Sequence, residues 1–211
     1  MNGVFVTGTG TGIGKTFVTA AWTRELRARG KSALALKPIS CGDRSDAEQF
    51  AAANDETLSL NQINPISLLA PLSPYAACIV EDKPFDFCAL HDGVEAVAVK
   101  CPGPFLVEGV GGWLVPITRE YWVRDWAGEL KLPVVIVAPA ELGMLNHTLM
   151  TIESVRNSGC ELKGVIVNHH PVCDDLATTT NPAILEELGR VPVFNFHSTE
   201  DLRQMPAWMQ L

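Results

Sequence analysis

No apolar run in the 211-residue chain reaches the ~20 residues that a membrane-spanning helix needs. The chain opens into Val4-Phe5-Val6 without the basic stretch and small-residue cleavage site of an export signal, so the expected compartment is the cytoplasm. Basic residues are in short supply: 16 Lys and Arg stand against 24 Asp and Glu, for a net charge of −8. That balance repels nucleic acid and anionic membrane surfaces, and neither is expected as a partner. Cys41, Cys78, Cys88, Cys101, Cys160 and Cys173 include no C-x-x-C pair, so free and mostly packed thiols are expected rather than a disulfide framework. No internal repeat, low-complexity segment or linker divides the chain, and a single domain over residues 1–211 is expected. At this length folding buries roughly 70% of the surface of the unfolded chain, so a full core needs no staple.

Short apolar runs recur at 4–7, 33–36, 105–107, 134–138, 165–167 and 191–194. Most lack polar alternation, the mark of strands covered on both faces. Helical stretches fall between them, at 16–29 with Gly30 as the stop, and at 87–100, 120–130, 142–158 and 182–188. Ser45-Asp46-Ala47-Glu48 reads as a capping box, and Ser73-Pro74 as a cap followed by proline at the first helical position. The repeated β-α order predicts an α/β fold, a doubly wound and mostly parallel sheet with helices on both faces. Residues 41–74 form the one long stretch without a regular pattern, and such stretches often carry function.

Gly8-Thr9-Gly10-Thr11-Gly12-Ile13-Gly14-Lys15-Thr16 follows the first strand and opens the first helix. Glycines let successive N–H groups point at phosphate oxygens, the helix start adds positive potential, the lysine reaches the β/γ-phosphates, and the threonine hydroxyl can ligate Mg²⁺. The strict G-x-x-x-x-G-K-[ST] pattern would want glycine where Thr9 stands, so this is a variant phosphate loop. The dinucleotide pattern G-x-G-x-x-G fails at Ile13. A merely flexible turn does not account for Lys-Thr at the helix start, and nucleotide binding is the expectation.

Carboxylates holding a Mg²⁺-nucleotide would arrive at the carboxyl ends of neighbouring strands. Glu108 ends the run 105–107 and precedes Gly109-Val110-Gly111-Gly112, which allows close ligand approach; the plainer alternative is a strand-end acid in a turn. Asp46 is equally an acid stabilised by a helix N-terminus. Lys37, before Pro38, is either a solvated charge or a second lysine at a transferring phosphoryl group.

The chain resembles the dethiobiotin synthetase family over nearly its whole length. The resemblance rests on Val6-Thr7-Gly8-Thr9, Gly14-Lys15-Thr16, Lys37-Pro38, Ser45-Asp46-Ala47, Asn64-Pro65, Ser73-Pro74, Glu108 to Trp113, Asp125-Trp126, Leu132-Pro133, Leu142-Gly143 with Asn146-His147, and Asn168. The phosphate loop is common to many NTPases; the ordered combination with Lys37-Pro38, Glu108 to Trp113 and Leu142 to His147 is specific. The resemblance implies a P-loop NTPase-type fold and an ATP- and Mg²⁺-dependent ring closure joining CO₂ (supplied as bicarbonate) to the two amines of 7,8-diaminononanoate in biotin biosynthesis. It also implies the residues. Lys15, Lys37 and Thr11 would serve the transferring phosphoryl group, and Thr16, Asp46 and Glu108 the metal. Gly10, Thr11, Gly12, Ile13, Gly14, Lys15, Thr16 and Phe17, with Asn168 and Pro192, would hold the nucleotide. Ser40, Cys41, Gly111, Gly112, Leu142, Gly143 and Asn146 would meet the diamine. The Leu142 to Asn146 turn would complete the substrate site of the other subunit in a homodimer, with helix-start amides suited to a carboxylate.

Two departures stand out. Cys41 occupies a place where the family often has a hydroxyl, and a thiol is the weaker hydrogen-bonding group. No tyrosine lies between Asn168 and Gly189, where some members contact the carboxylate. Trp113, Trp122 and Trp126 read as packing anchors. His169-His170 with Cys173 and Asp174 has poor metal-ligand spacing and reads as a turn after a strand, and His147 as a helix-start contact rather than a base. Two other readings share the loop type. A dimeric ATPase switch of the chromosome- or septum-positioning kind would carry a lysine where Gly10 stands, and a cobyrinic-acid-type synthetase would add a glutaminase domain for which 211 residues leave little room.

Overall fold

A computed structural model describes residues 1–170 and 176–211. Six parallel strands form the central sheet: β1 (Gly3–Gly8), β2 (Leu34–Leu36), β5 (Phe105–Glu108), β6 (Val134–Pro139), β7 (Leu162–Asn168) and β8 (Val193–Phe196), in the order β2-β5-β1-β6-β7-β8. The helices are α1 (Lys15–Ala28), α2 (Ser45–Ala53), α3 (Leu60–Ile63), α4 (Pro74–Val80), α5 (Phe87–Lys100), α6 (Val123–Leu130), α7 (Met144–Asn157) and α8 (Leu176–Gly189), followed by short 3₁₀ turns at Thr199–Gln204 and Ala207–Met209.

Strand alternation sorts the apolar residues into two layers. Val4, Val6, Leu106, Val135, Val137 and Ile166 face Val18, Trp22 and Leu26 of α1 and Met205 and Met209 of the C-terminal turns. Phe5, Phe105, Val107, Ile136 and Val165 face a second core with Leu90 of α5, Trp126 of α6, Ile152 of α7 and Leu185 of α8. Every residue of β1 is buried, as a strand covered on both faces requires. Because all six strands run the same way, Gly8, Leu36, Glu108, Asn168 and Phe196 end along one edge, where ligands bind in open α/β sheets.

Several local expectations are corrected. The stretch 41–74 is ordered into α2, α3 and a two-stranded parallel sheet of β3 (Ile39–Cys41) and β4 (Ile66–Leu68). Three-residue strands are too short to show a period, which is why this part reads as irregular. Ser45 is not a cap but the first residue of α2; Asp43 Oδ1 accepts from its amide at 3.0 Å and its hydroxyl at 2.6 Å. The box in this region is Ser59 with Gln62, at the start of α3. Ser73 caps α4 as expected. Helix α8 begins six residues before Pro182 and carries it internally, because Thr178, Pro182, Leu185 and Gly189 form one buried stripe and packing overrides propensity. Strand β8 starts two residues later than expected, at Val193. The five described cysteines are free, but only Cys78 is buried and Cys88 is exposed.

Candidate active site

The phosphate loop leaves the end of β1 and enters α1 through Gly14, whose φ of 86° lies in the left-handed region. A Cβ there would also stand 2.2 Å from Asn168 Nδ2, so both backbone and space demand glycine. Asn168 ends β7, is 3% exposed, and donates through Nδ2 to Ile13 O at 2.9 Å, tying the loop to the sheet edge. On the other side Gly112 packs against the backbone of Gly8 and Gly10, and Gly111, at a φ of 62°, lies next to Val115 and Thr11.

Four charged side chains converge beside this loop. Lys15 is buried, and its ammonium donates to Gly10 O at 2.8 Å. Burial, reinforced by the neighbouring Lys37 charge and opposed by Glu108 and Asp46, pulls its pKa down to about 8. Glu108, at the end of β5, is fully buried; its Oε1 accepts from the Thr16 hydroxyl at 2.9 Å and from the Lys37 ammonium, which also meets Asp46 Oδ2 at 2.7 Å. Burial alone would lower the Lys37 pKa, but the two carboxylates outweigh it and hold that pKa above its ordinary value. Lys37 is thus a buried, paired charge rather than a solvated one.

Thr16, Asp46 and Glu108 present only oxygen donors, the hard set that Mg²⁺ takes. Glu108 Oε2 is buried without a hydrogen-bond partner, and the Lys37 ammonium already fills a cationic position between the two carboxylates. The donor set therefore fits a divalent cation held together with nucleotide phosphates. Among the described residues no group of three or more His, Cys, Asp or Glu is placed to hold a metal by itself. His169 instead contacts Asn195 Oδ1 at 3.0 Å and stacks on His197, while Cys173 and Asp174 lie outside the described residues.

A cleft of about 690 Å³ runs from Thr11, Lys15 and Thr16 past Lys37, Asp46 and Glu108 to Ser40 and Cys41. Phe17, Gly12, Gly14 and Gly111 also line it. Burial, with Cys78 and Glu81 adding to it, raises the half-buried Cys41 thiol to about 11, so it stays protonated at neutral pH. Phe17 packs edge-on against Phe196 and tilts against His170, so an aromatic shelf stands where β7 and β8 end.

Not every expected residue comes to this cleft. Pro192 belongs to the opposite edge: its carbonyl accepts from Val165 N at 2.9 Å, at the start of the β7–β8 ladder, whereas Phe196 pairs with Asn168 at the carboxyl end. Its assignment to the nucleotide is corrected, since the strand after it carries the chain to the binding edge before any contact can form. Leu142, Gly143 and Asn146 are exposed at the start of α7, outside the cleft, and Leu142 is 85% exposed. His147 lines a smaller cavity of about 380 Å³ on the far side of the phosphate loop, with Trp113 and Gly112. Trp113 and Trp126 are buried against Phe5 as anchors, whereas Trp122 is half-buried under the Arg124 guanidinium. Leu72 and Val115 also line the main cleft, although isolated apolar residues in loops carry no sequence signal for such a role.

A family profile described as an AAA domain matches residues 2–196. The chain is 38% identical to the ATP-dependent dethiobiotin synthetase BioD of Anaeromyxobacter sp. (strain Fw109-5), over 100% of this chain and 96% of that protein. It is 36% identical to the enzyme of the same name from Aquifex aeolicus, covering 94% of this chain and 90% of the relative. Among solved structures it is similar in fold to the cell division ATPase MinD of Pyrococcus furiosus, with a TM-score of 0.55 at 16% identity over 97% and 88% of the two chains. It is likewise similar to the signal recognition particle receptor FtsY of Elizabethkingia anophelis, with a TM-score of 0.57 at 13% identity over 99% and 63%. At such identities these structures speak for the fold alone, whereas the sequence relatives match throughout, with the loop, Lys37, Asp46 and Glu108 gathered in one cleft. The chain therefore belongs to the dethiobiotin synthetase family.

Proposed function

We propose that this chain, as one P-loop α/β domain, is an ATP- and Mg²⁺-dependent cyclo-ligase that closes a ureido ring from 7,8-diaminononanoate and CO₂, yielding dethiobiotin, ADP and phosphate. The observation that carries the reading is the meeting of Lys15, Thr16, Lys37, Asp46 and Glu108 in one cleft that Ser40, Cys41 and Leu72 also line. One amine of the diamine takes up CO₂ as a carbamate and releases a proton. A carbamate oxygen then bonds to the γ-phosphorus while the bond to the ADP oxygen breaks. The second amine attacks the carbamate carbon, phosphate departs, and the amine proton passes to solvent or phosphate.

The chain's own residues serve these steps by position and charge. The loop amides from Gly10 to Thr16 cradle the phosphates, with the Thr11 side chain beside them. Lys15 leaves Gly10 O for the β/γ-phosphates, and Lys37 turns from the carboxylates toward the equatorial oxygens of the transferring group. Thr16, Asp46 and Glu108 would hold Mg²⁺, which when bound neutralises the β- and γ-phosphate oxygens. Asn168 would read a nucleobase edge beside the Phe17 and Phe196 shelf. Gly111 lines the cleft that the diamine would enter, Gly112 packs behind it against the phosphate loop, and Leu142, Gly143 and Asn146 would receive the diamine's carboxylate across a homodimer. Free thiols at all five described cysteines agree with a reducing cytoplasm.

ADP release in the presence of both diaminononanoate and bicarbonate, and then with each omitted, tests the reading. Release should require both; rapid hydrolysis indifferent to either refutes it. Sedimentation at assay concentration tests the dimer, and full activity as a monomer refutes it.

A further inference from the structure

Asn64 sits between α3 and β4, is 1% exposed, and has every hydrogen-bonding position of its amide engaged. Its Nδ2 donates to Lys37 O at 2.7 Å and to Ile66 O at 3.0 Å. Its Oδ1 accepts from Arg44 Nε at 2.9 Å and pairs with Ser40 Oγ at 3.0 Å. Two backbone carbonyls can only accept and a guanidinium can only donate, so the amide has one orientation. In that orientation Oδ1 faces Ser40, and the serine hydroxyl must donate its hydrogen bond to Asn64. Ser40, 4% exposed, lines the cleft with Lys37 and Cys41, and its Oγ is left with lone pairs alone for a ligand. The same side chain clamps Lys37: that residue's amide donates to Ile63 O at 3.0 Å while its carbonyl takes the Asn64 amide, so the main chain beneath the lysine is held from both sides.

We propose that Asn64 is a positioning residue of the reaction, fixing Ser40 as a hydrogen-bond acceptor for an N–H of the diamine and anchoring the backbone that presents Lys37. The proposal rests on the function proposed above. An acceptor-only serine favours an amine or carbamate N–H and disfavours the substrate carboxylate or a phosphate, which themselves need donors. It thereby orients the reacting end of the diamine toward Lys37. Cys41 cannot replace this contact, because a thiol is a weak acceptor.

A double-mutant cycle with Ser40→Ala, Asn64→Ala and the pair tests the inference, reading kcat, KM for the diamine and the dissociation constant of ADP. Ser40→Ala should raise the diamine KM about tenfold, as loss of one hydrogen bond would do. Asn64→Ala should raise it similarly and lower kcat as well, and the pair should be no worse in KM than Ser40→Ala within about twofold, because Asn64 acts on the diamine through Ser40. ADP affinity should stay within about twofold throughout, which a general structural defect would not allow. If Asn64→Ala does not fold, Asn64→Asp takes its place in the cycle; it still accepts from Ser40 and Arg44, so the diamine KM should hold while kcat falls. Multiplying KM effects, an unchanged KM in Ser40→Ala, or a parallel fall in ADP affinity overturns the proposal. Failure of the unmodified enzyme to turn over the diamine defeats instead the function on which it rests.

Discussion

Replacing Lys37 by methionine removes the ammonium that touches both Glu108 and Asp46 but keeps most of the side chain's length. Glu108 is fully buried and is left with the Thr16 hydroxyl as its partner. Coulomb's law gives about 4 kcal/mol for a unit pair near 4 Å at an effective dielectric of about 20. Breaking a buried pair from one side costs 3–5 kcal/mol, so about 4 kcal/mol of stability should disappear. At 2–4 °C per kcal/mol for a chain of this size, the melting temperature should fall by about 8–16 °C. Glu108→Gln should cost less, because Lys37 keeps Asp46 at 2.7 Å, half-exposed. The double variant removes both buried charges together and should be more stable than Lys37→Met alone. Urea unfolding of nucleotide-free protein measures all three. A Lys37→Met protein within about 1 kcal/mol of the parent, or a double variant whose loss equals the sum of the singles, would refute the charge balance described for this site.

Three further outcomes follow from the same geometry. Lys15, with its pKa pulled down to about 8 from 10.5, gives up its proton in the folded state before the unfolded chain does; its own contribution to the unfolding free energy should therefore rise between pH 8 and 10.5 by up to about 3 kcal/mol at 1.36 kcal/mol per unit, while Cys41, raised from 9.0 to about 11, pulls the other way above pH 9, so the stability of the parent minus that of a Lys15→Met protein should grow across that window. Lys37, shifted upward, should lose its contribution only above 10.5. At pH 7.5 iodoacetamide should label exposed Cys88 well before the protonated, half-buried Cys41, and equal labelling rates by peptide mapping would contradict the burial described. Asp46→Asn and Glu108→Gln should each raise the Mg²⁺ concentration needed for half-maximal ADP formation, and unchanged Mg²⁺ dependence in both would remove them from the metal site.

Much of this arrangement is written along the chain. A phosphate loop is local: Gly14, Lys15 and Thr16 act within one strand–turn–helix unit, so their order suffices to place them, and apolar runs covered on both faces foretell a parallel sheet. Ser73-Pro74 and Gly30 likewise act over a single turn. What no local pattern contains is the pairing order β2-β5-β1-β6-β7-β8, which brings Lys37 to Glu108 across 71 positions and Thr16 to the same carboxylate across 92. Asp46 illustrates the difference, being an unremarkable first-turn acid in sequence and the partner of a buried ammonium once β2 and α2 are packed. Pro192 illustrates the converse, since its distance from the nucleotide edge follows from the register of β8 on β7. Asn64 is only one of the residues that carry the family resemblance until folding closes carbonyls and a guanidinium around its amide. Backbone propensity and turn chemistry act over a few residues, and the sequence determines them; which charges lose water together, and where a hydroxyl donates its hydrogen bond, depends on strands and helices meeting, and only the tertiary structure decides it.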